Sequence, residues 1–505
     1  MTLKFHNTLT NQVDEFASQN NGKVTIYTCG PTVYDYPHIG NWASYIYWDV
    51  LIRILMANDY EVNRVINITD VGHLTSDADE GEDKLEKGAK REGKTAWEIA
   101  AFYTEDFMNG MRSLGMIMPQ HIAKATDYIP QQLDMIRKLK NKGFTYRISD
   151  GIYFETSKFT RYADFAHLKL GSQMAGARVE FNPEKHNNSD FALWKFTPTG
   201  EKRDMEWATP ADLLDNNSRS DLERSKITEE SVPKGEQIVM GFPGWHIECS
   251  AIIMALLGET IDIHTGGIDH IPVHHTNEIA QSEAINNVRL SNYWLHSNHL
   301  KINGSKISKS LGNGYRLDDL AKKGFSPLDY RMFILQGHYR NEGNFTFEGL
   351  QSAKNRLHNW RNIAALRHQI HDTIQSDNAR NTNNKTISPY ATSRAIIEAI
   401  DDDLGTPEAL RIIDEAFSSI SNARITNINQ QALINLLDTI DSTLGLQLIG
   451  STPDISDDLK RIIIERNHAR AQKDWSKSDK LRDQLLSAGI IIRDTNSEVI
   501  WEYKD

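Results

Sequence analysis

VTIYTCGPTVYDYPHIGN, residues 24 to 41, decides the fold. Its first half is a short apolar strand carried by Val24, Ile26 and Tyr27. A turn-rich loop with Cys29, Gly30 and Pro31 follows, closed by His38, Ile39, Gly40 and Asn41. Behind it Tyr47, Val50, Leu51, Ile54 and Leu55 recur at helical spacing and mark one face of a helix. At a strand, loop and helix N-terminus an α/β fold holds a phosphate, because free backbone N–H groups and the helix dipole point at the anion. A cysteine and a histidine in that loop equip it for chemistry as well as for packing.

The alternation continues outward. Val62 to Ile68 reads as a second strand, which completes a β-α-β unit and implies a parallel sheet. Asp77 to Lys94 is crowded with both charge signs. Its aspartates miss the calcium-loop pattern, because Gly81 and Glu82 stand where Asp or Asn and then Gly are required. The run is expected as a solvated loop entering a helix over Thr95 to Leu114. From about Ile117 to Met240 helical and short strand patterns, such as Gly151 to Glu155, interrupt the alternation as an insertion. Within it Pro210 to Gly235 is polar and expected to be a surface loop. The pattern resumes at Gly244 with a helix over Trp245 to Leu257 closed by Gly258. A strand over Thr260 to His264 and a turn at Gly266-Gly267 follow, a second crossing suited to the ribose or base of a nucleotide. Lys301 to Asn313, KINGSKISKSLGN, is a Gly- and Ser-rich loop with three lysines. Helices are expected from Pro327, broken by an Asn-rich linker over 372–389. The last piece, Asp457 to Asp505, pairs one basic amphipathic helix with strands at Ile490 to Arg493 and Val499 to Tyr503.

The totals bound the function. A chain of 505 residues has room for about three domains. No uncharged apolar run approaches the ~20 residues of a membrane span, and Met1 to Asn20 lacks the apolar core of a signal peptide. A cytoplasmic protein with no membrane contact, acting as a monomer, is expected. The net charge of −12 argues against indiscriminate nucleic-acid binding but leaves room for a local basic surface. Two cysteines, Cys29 and Cys249, exclude a disulfide framework.

His274 and Glu278 are four residues apart, so on a helix they project from one face as two ligands of one metal. With Cys29 and Cys249 they make a Cys2HisGlu set that suits Zn2+. Spacing alone leaves buried inert thiols as the alternative, since neither cysteine has a near partner, and His264, His270 and His275 read as ordinary histidines. Lys306 and Lys309 bracket Ser308, where a lysine can neutralise charge on a transferring phosphate. An isolated pair of this kind is more often a solvated turn.

In combination these stretches are distinctive. Pro31-Thr-Val-Tyr-Asp35 with His38-Ile-Gly-Asn41, Asn67-Ile-Thr-Asp70, Gly244-Trp-His-Ile-Glu-Cys-Ser250, His274-His275-x-Asn-Glu278 and Lys306-Ile-Ser-Lys-Ser310 occur in this order. Asp402 to Ala409, Asp474-Trp475 and Gly489 to Asp494 extend the series nearly to the end. The chain resembles the class I cysteinyl-tRNA synthetases. The resemblance implies a Rossmann-like parallel-sheet catalytic domain with an insertion, then a helical bundle and a small C-terminal α/β domain. Its borders fall at 1–116 and 241–300 for the catalytic halves, 117–240 for the insertion and 301–356 for the KMSKS-type loop and stem-contact region. The helical tRNA-binding domain then covers 357–450 and the anticodon-binding domain 451–505.

The resemblance also implies roles. The HIGH motif maps to His38–Asn41, with Asn in the last place, and KMSKS to Lys306–Ser310. Catalysis falls to His38, Asn41, Lys306 and Lys309, and ATP contact to His38, Gly40, Asn41, Gly266, Gly267, Asp269 and Lys309. Gly30, Thr69 and Trp245 contact the amino acid, and one Zn2+ is held by Cys29, Cys249, His274 and Glu278. The implied reaction activates L-cysteine with ATP and Mg2+ to cysteinyl-adenylate and transfers it to cysteine tRNA, zinc–thiolate coordination excluding serine. The basic residues Lys460, Arg461, Arg466, Arg470, Lys473, Lys477, Lys480 and Arg482 are expected to contact RNA from one helix, Leu459 to Gln484. Three departures stand out: Val273 to Glu278 reads VHHTNE, a polar insertion follows Trp207, and Thr265-Gly-Gly replaces three glycines. Rival readings are a ligase joining cysteine to an amino sugar, which would lack the region after about Leu357, and a non-catalytic synthetase-like RNA-binding protein.

Overall fold

The computed structural model describes residues 2–71, 83–167, 182–214, 239–308, 311–370, 390–494 and 499–504. Its central sheet is built from β1 (Lys23–Thr28), α1 (Ile39–Ala57), β2 (Glu61–Ile68), α2 (Ala96–Ser113) and β3 (His121–Lys124). After the insertion come α3 (Trp245–Leu256), β4 (Ile261–Gly267), α4 (Thr276–Asn286) and β5 (Ser291–Ser297). The order is β5-β4-β1-β2-β3, every pair parallel. The chain winds outward from β1 in one direction, then returns to β1's other side to lay down β4 and β5. β1 and β4 are therefore the topological switch point, and the crevice beyond their carboxyl ends is where an open α/β sheet takes its ligand.

The α/β class follows from the residues. β1 and β2 are buried on both faces toward their carboxyl ends, as a sheet covered by helices on both sides requires. α1 is buried nearly all round, with Trp42, Ile46, Trp48, Val50, Leu51, Ile54 and Leu55 closed to solvent. It buries one polar side chain, Asp49, which accepts from Arg53 at 2.7 Å, Arg331 at 2.5 Å and the Ile117 amide at 2.7 Å. Arg331 also donates to the Leu114 and Leu444 carbonyls, which joins the sheet domain to the helices that follow.

Several expectations shift. Asp83 to Lys94 is not a loop: Lys84–Glu92 is a helix capped by Asp83, which accepts from the Leu85 and Glu86 amides, while 72–82 lie outside the described residues. Gly266 and Gly267 are the last residues of β4, paired with His296 and Ser297, rather than a turn after it. β3 carries the parallel sheet to Lys124, and Met240–Pro243 still pairs inside the insertion's antiparallel sheet. The rest of that sheet is Thr145–Ile148, Gly151–Phe154, Phe191–Phe196 and Trp207–Ala208. Most of the polar stretch Pro210 to Gly235, and the linker over 372–389, lie outside the described residues.

Downstream, Pro327–Leu335, Phe347–Ala365, Tyr390–Asp401, Thr406–Asn422 and Gln430–Leu444 are helices whose apolar faces merge with the core under α1. The C-terminal piece packs a small separate core of Ile455, Ile463, Leu485, Ile490 and Trp501 against Ala365 at the end of the Phe347–Ala365 helix. Its basic helix is two helices, Asp457–Ala471 and Trp475–Ser487. Lys473 takes a left-handed conformation at φ 61°, and Asp474 caps the second helix by accepting from the Lys477 amide.

Candidate active site and metal centre

The loop after β1 is tied down on both sides of the switch point. The Cys29 amide donates to the Thr265 carbonyl on β4 at 3.2 Å, and the Gly30 amide donates to Asn67 Oδ1 on β2 at 2.7 Å. Thr69, almost wholly buried, pairs with Thr32 across the same edge. The loop thus crosses the ends of three strands before reaching α1.

His38 is the N-cap of α1, so the His38–Asn41 motif is the first helical turn itself. His38 Nδ1 accepts from the Asn41 amide at 3.2 Å and Asn41 Oδ1 accepts from the His38 amide at 3.0 Å, a reciprocal capping box. Because Nδ1 accepts, a neutral ring carries its proton on Nε2. The turn is clamped from two sides: the Ile39 amide donates to the Tyr315 carbonyl, and Tyr330 donates to the Ile39 carbonyl. Gly40 permits the closest approach, since a Cβ there would meet Ile307 Cδ1 at 2.6 Å. Lys306 is exposed, and Lys309 lies outside the described residues. On β4, Gly266 and Gly267 reach the same sheet edge, with Asp269 exposed just beyond.

Cys29, Cys249, His274 and Glu278 converge at the base of this edge, all buried, with one ligand atom from each within 4.8 Å of the others. His274 Nε2 lies 3.4 Å from Cys249 Sγ and 3.0 Å from Glu278 Oε1. The pair does not stand on a regular α-helix. His274 belongs to a π-helical turn, Ile271–His275, that runs into α4, and Thr276 ties it off by donating to the Ile271 carbonyl at 2.7 Å. Such turns recur at functional sites because they re-aim a side chain within a helix. Trp245 stacks on His274 at 4.3 Å, roofing the set.

The electrostatics fit a divalent cation. Burial pushes the Cys29 thiol well up. Burial also opposes ionisation of Cys249, but hydrogen bonding from Cys29 and the charge of His274 bring it down to about 6. Against burial, Glu278 and Cys249 push His274 up to about 10, and His264 and His274 hold the Glu278 carboxyl far below its usual range. The donors are aimed at one point and draw positive charge to it, a demand that a divalent cation would meet.

Four histidines that sequence reasoning had set aside or passed over support these donors. His264 Nε2 lies 2.9 Å from Glu278 Oε2 and its ring stacks on Trp294. His275 Nε2 lies 3.4 Å from Cys29 Sγ, while its Nδ1 lies 2.8 Å from His296 Nε2. His246 Nδ1 lies 3.0 Å from His274 Nδ1. Cys29, His264, His275 and Glu278 form a second convergent set that shares two residues with the first. Only the first set uses both thiols, the donors that most favour zinc. Beside it, His264 contacts Glu278 and His275 contacts Cys29, the placing expected of outer partners that would orient metal ligands. His264 lies within β4, His275 at the end of the π-helical turn and His296 near the end of β5, so the parallel pairing of the strands brings them together.

The basic residues of the C-terminal hairpin are less available than their spacing suggested. Arg466 is buried and binds Asp494 through two bonds of 2.9 and 2.6 Å, with Arg470 3.3 Å away. Lys460, Arg461 and Arg482 pair with Asp454, Asp458 and Asp479. Lys473, Lys477 and Lys480 are exposed and form no ion pair among the described residues. Beside them Trp475 is 57% exposed with the Arg470 guanidinium 5.9 Å from its ring, a cation–aromatic platform rather than a buried anchor.

No helix among the described residues is long and apolar enough to cross a membrane. The fold is similar to that of a Mycobacterium tuberculosis methionyl-tRNA synthetase solved with methionyl-adenylate. That similarity has a TM-score of 0.55 at 14% identity, covering 85% of this chain and 91% of the other. It is also similar to an Agrobacterium radiobacter LeuRS–tRNA–LeuAMS complex, with a TM-score of 0.58 at 12% identity and 87% of each chain covered. The family description "tRNA synthetases class I (C) catalytic domain" matches residues 15–213 and 225–355, and "Cysteinyl-tRNA ligase anticodon binding domain" matches 452–501. The cysteine–tRNA ligase of Treponema denticola is 38% identical over 99% of this chain and 100% of its own. Cysteine–tRNA ligase 1 of Burkholderia lata is 38% identical over 98% and 96%. With catalytic and anticodon-binding regions both matched and relatives aligned nearly end to end, the chain belongs to the cysteine–tRNA ligases, a family of class I tRNA synthetases.

Proposed function

We propose that this chain is a cysteine–tRNA ligase that activates L-cysteine with ATP and passes it to the terminal adenosine of cysteine tRNA. The observation that carries the reading is the joining of two sites by one loop. Cys29 opens it at the metal donors and His38 closes it at the helix N-terminus.

ATP, with Mg2+, sets its phosphates over the first turn of α1, where the helix dipole favours negative charge. Gly40 leaves the backbone uncovered there, and Gly266, Gly267 and Asp269 hold the adenosine across the switch point. The amino-acid carboxylate attacks the α-phosphorus in line and pyrophosphate leaves. No side-chain nucleophile is required. His38 Nε2, Asn41, Lys306 and Lys309 neutralise the charge that builds on the phosphates. Gly30, Thr69 and Trp245 wall the amino-acid pocket.

Cys29, Cys249, His274 and Glu278 would hold Zn2+, which would supply a preference for thiolate sulfur over an alcohol oxygen, because thiolate is much the better zinc ligand. An apolar pocket alone separates near-isosteres by only ~10²-fold, so this donor set removes the need for a second, editing site. The expected domain division stands as part of this proposal, with β3 and Met240–Pro243 assigned to the sheets in which they pair. So does action in the cytoplasm as a monomer. Trp475 with Lys473, Lys477 and Lys480 forms the RNA-facing surface of the C-terminal hairpin.

Charging of a cysteine tRNA transcript tests the reading. Labelled cysteine is expected to appear on the tRNA and serine is not. Transfer of cysteine to an amino sugar, or no charging by a zinc-replete chain, would refute it.

A further inference from the structure

Among the six histidines gathered around the metal donors, five are buried and engaged. His246 faces His274, His264 faces Glu278, His275 faces Cys29 and His296, and His296 Nδ1 lies 2.6 Å from Thr8 Oγ1. His270 differs. It is only partly buried, its Nδ1 has no hydrogen-bond partner among the described residues, and its contacts are ring against ring. Trp245 lies 6.3 Å away edge-on, His274 5.4 Å and His275 5.1 Å.

Its position is set by the fold. His270 ends the one-turn helix Ile268–His270 that follows Gly267 at the switch point. Beneath it is Gly266, where a Cβ would come within 2.7 Å of His270 Nδ1 and 2.6 Å of His275 Cε1. The absent side chain makes room for both rings. One side of His270 therefore faces the metal donors and the other faces the glycine pair assigned to the nucleotide. A cysteine anchored by sulfur at the donors carries its carboxylate about 4 Å away, by standard bond lengths. An ATP with its phosphates over α1 and its adenosine at the glycine pair brings its α-phosphorus between the two, and the carboxylate reaches it from the donor side, past His270.

We propose that His270 is a further substrate-contacting residue, whose imidazole hydrogen-bonds to the carboxylate of the bound amino acid and aims it at the α-phosphorus. The assignment rests on the function proposed above and adds a residue to it. The role belongs to a hydrogen-bond donor on a short, turn-held arm, aligning the attacking oxygen rather than exchanging a proton with it.

The test uses the zinc-loaded full chain with His270→Leu and His270→Asn. ATP–pyrophosphate exchange gives KM and kcat for cysteine, metal analysis gives zinc content, and cysteamine, which keeps the thiol but lacks the carboxylate, is titrated as a competitor. His270→Leu is expected to raise the cysteine KM about tenfold, the loss typical of one hydrogen bond to a charged group. The cysteamine inhibition constant and the zinc content should stay at wild-type values. His270→Asn, which keeps an N–H donor, should recover most of the cysteine affinity. An unchanged cysteine KM in His270→Leu, a parallel loss for cysteine and cysteamine, or a loss of zinc would overturn the assignment. Absence of cysteine-dependent exchange in the unmutated chain would instead overturn the underlying reading, and this role with it.

Discussion

The candidate metal centre and the C-terminal hairpin both crowd titratable side chains together, and they treat charge in opposite ways. At the centre, Cys29, Cys249, His274 and Glu278 are buried and drawn from four separate places in the chain, yet their ligand atoms converge on one point. In the hairpin, eight basic residues lie close in sequence, but the fold spends most of them internally: Arg466 and Arg470 on Asp494, and Lys460, Arg461 and Arg482 on nearby aspartates. Convergence from distant positions marks a ligand site, whereas density along one stretch mostly reports a solvated or self-neutralised surface.

The largest effect should come from breaking the convergence. Cys249→Ser is expected to empty the metal site and cut cysteine-dependent exchange by well over ~10²-fold, more than loss of an outer partner costs. Metal analysis and exchange kinetics on one preparation check it. His38→Ala separates the two ends of the loop. Adenylate formation should slow by about 10²–10³-fold, the scale of one lost charge-stabilising donor, with zinc still bound. If both variants lost zinc, or neither did, the division of labour along residues 29–38 would be wrong.

The hairpin offers smaller effects. Arg466→Ala leaves Asp494 facing a buried gap and should destabilise the C-terminal unit by about 1–3 kcal/mol, read by chemical denaturation. The same pair has a pH signature. Hydrogen bonding from Arg466 holds the Asp494 carboxyl below its usual range despite partial burial. A lowered folded pKa contributes stability that is present above the unfolded value, about 3.9, and is lost as pH falls through the folded value. Acid titration of unfolding should therefore show a loss below about pH 4 that Arg466→Ala lacks. Smallest of all, Lys477→Ala should leave stability unchanged and weaken RNA binding modestly, reducing the salt slope by about 1. A destabilised Lys477→Ala, or an Arg466→Ala that alters only RNA affinity, would invert the comparison.

What could be read from the residues tracks the same contrast. The strand–loop–helix at the opening stretch and the β2 crossing were legible because their apolar periodicity is local. The family motifs added the donor set, which no local pattern joins. Three features were not legible, each for a physical reason. The Gly266-Gly267 pair reads as a turn, yet pairing with His296 and Ser297 keeps it in the strand. The hairpin reads as one helix because no glycine or proline interrupts it. The break comes from Lys473 in a left-handed conformation and from the Asp474 cap, whose aspartate was the available clue. The supporting histidines look ordinary one at a time, and only the parallel order β5-β4-β1 brings them to one edge.

The most direct test of the account is ATP–pyrophosphate exchange with cysteine and with serine, on one preparation before zinc removal, after it and after zinc is restored. The account predicts cysteine exchange that disappears with the metal and returns with it, and serine exchange that stays negligible throughout. Cysteine exchange that survives complete removal of zinc would contradict it.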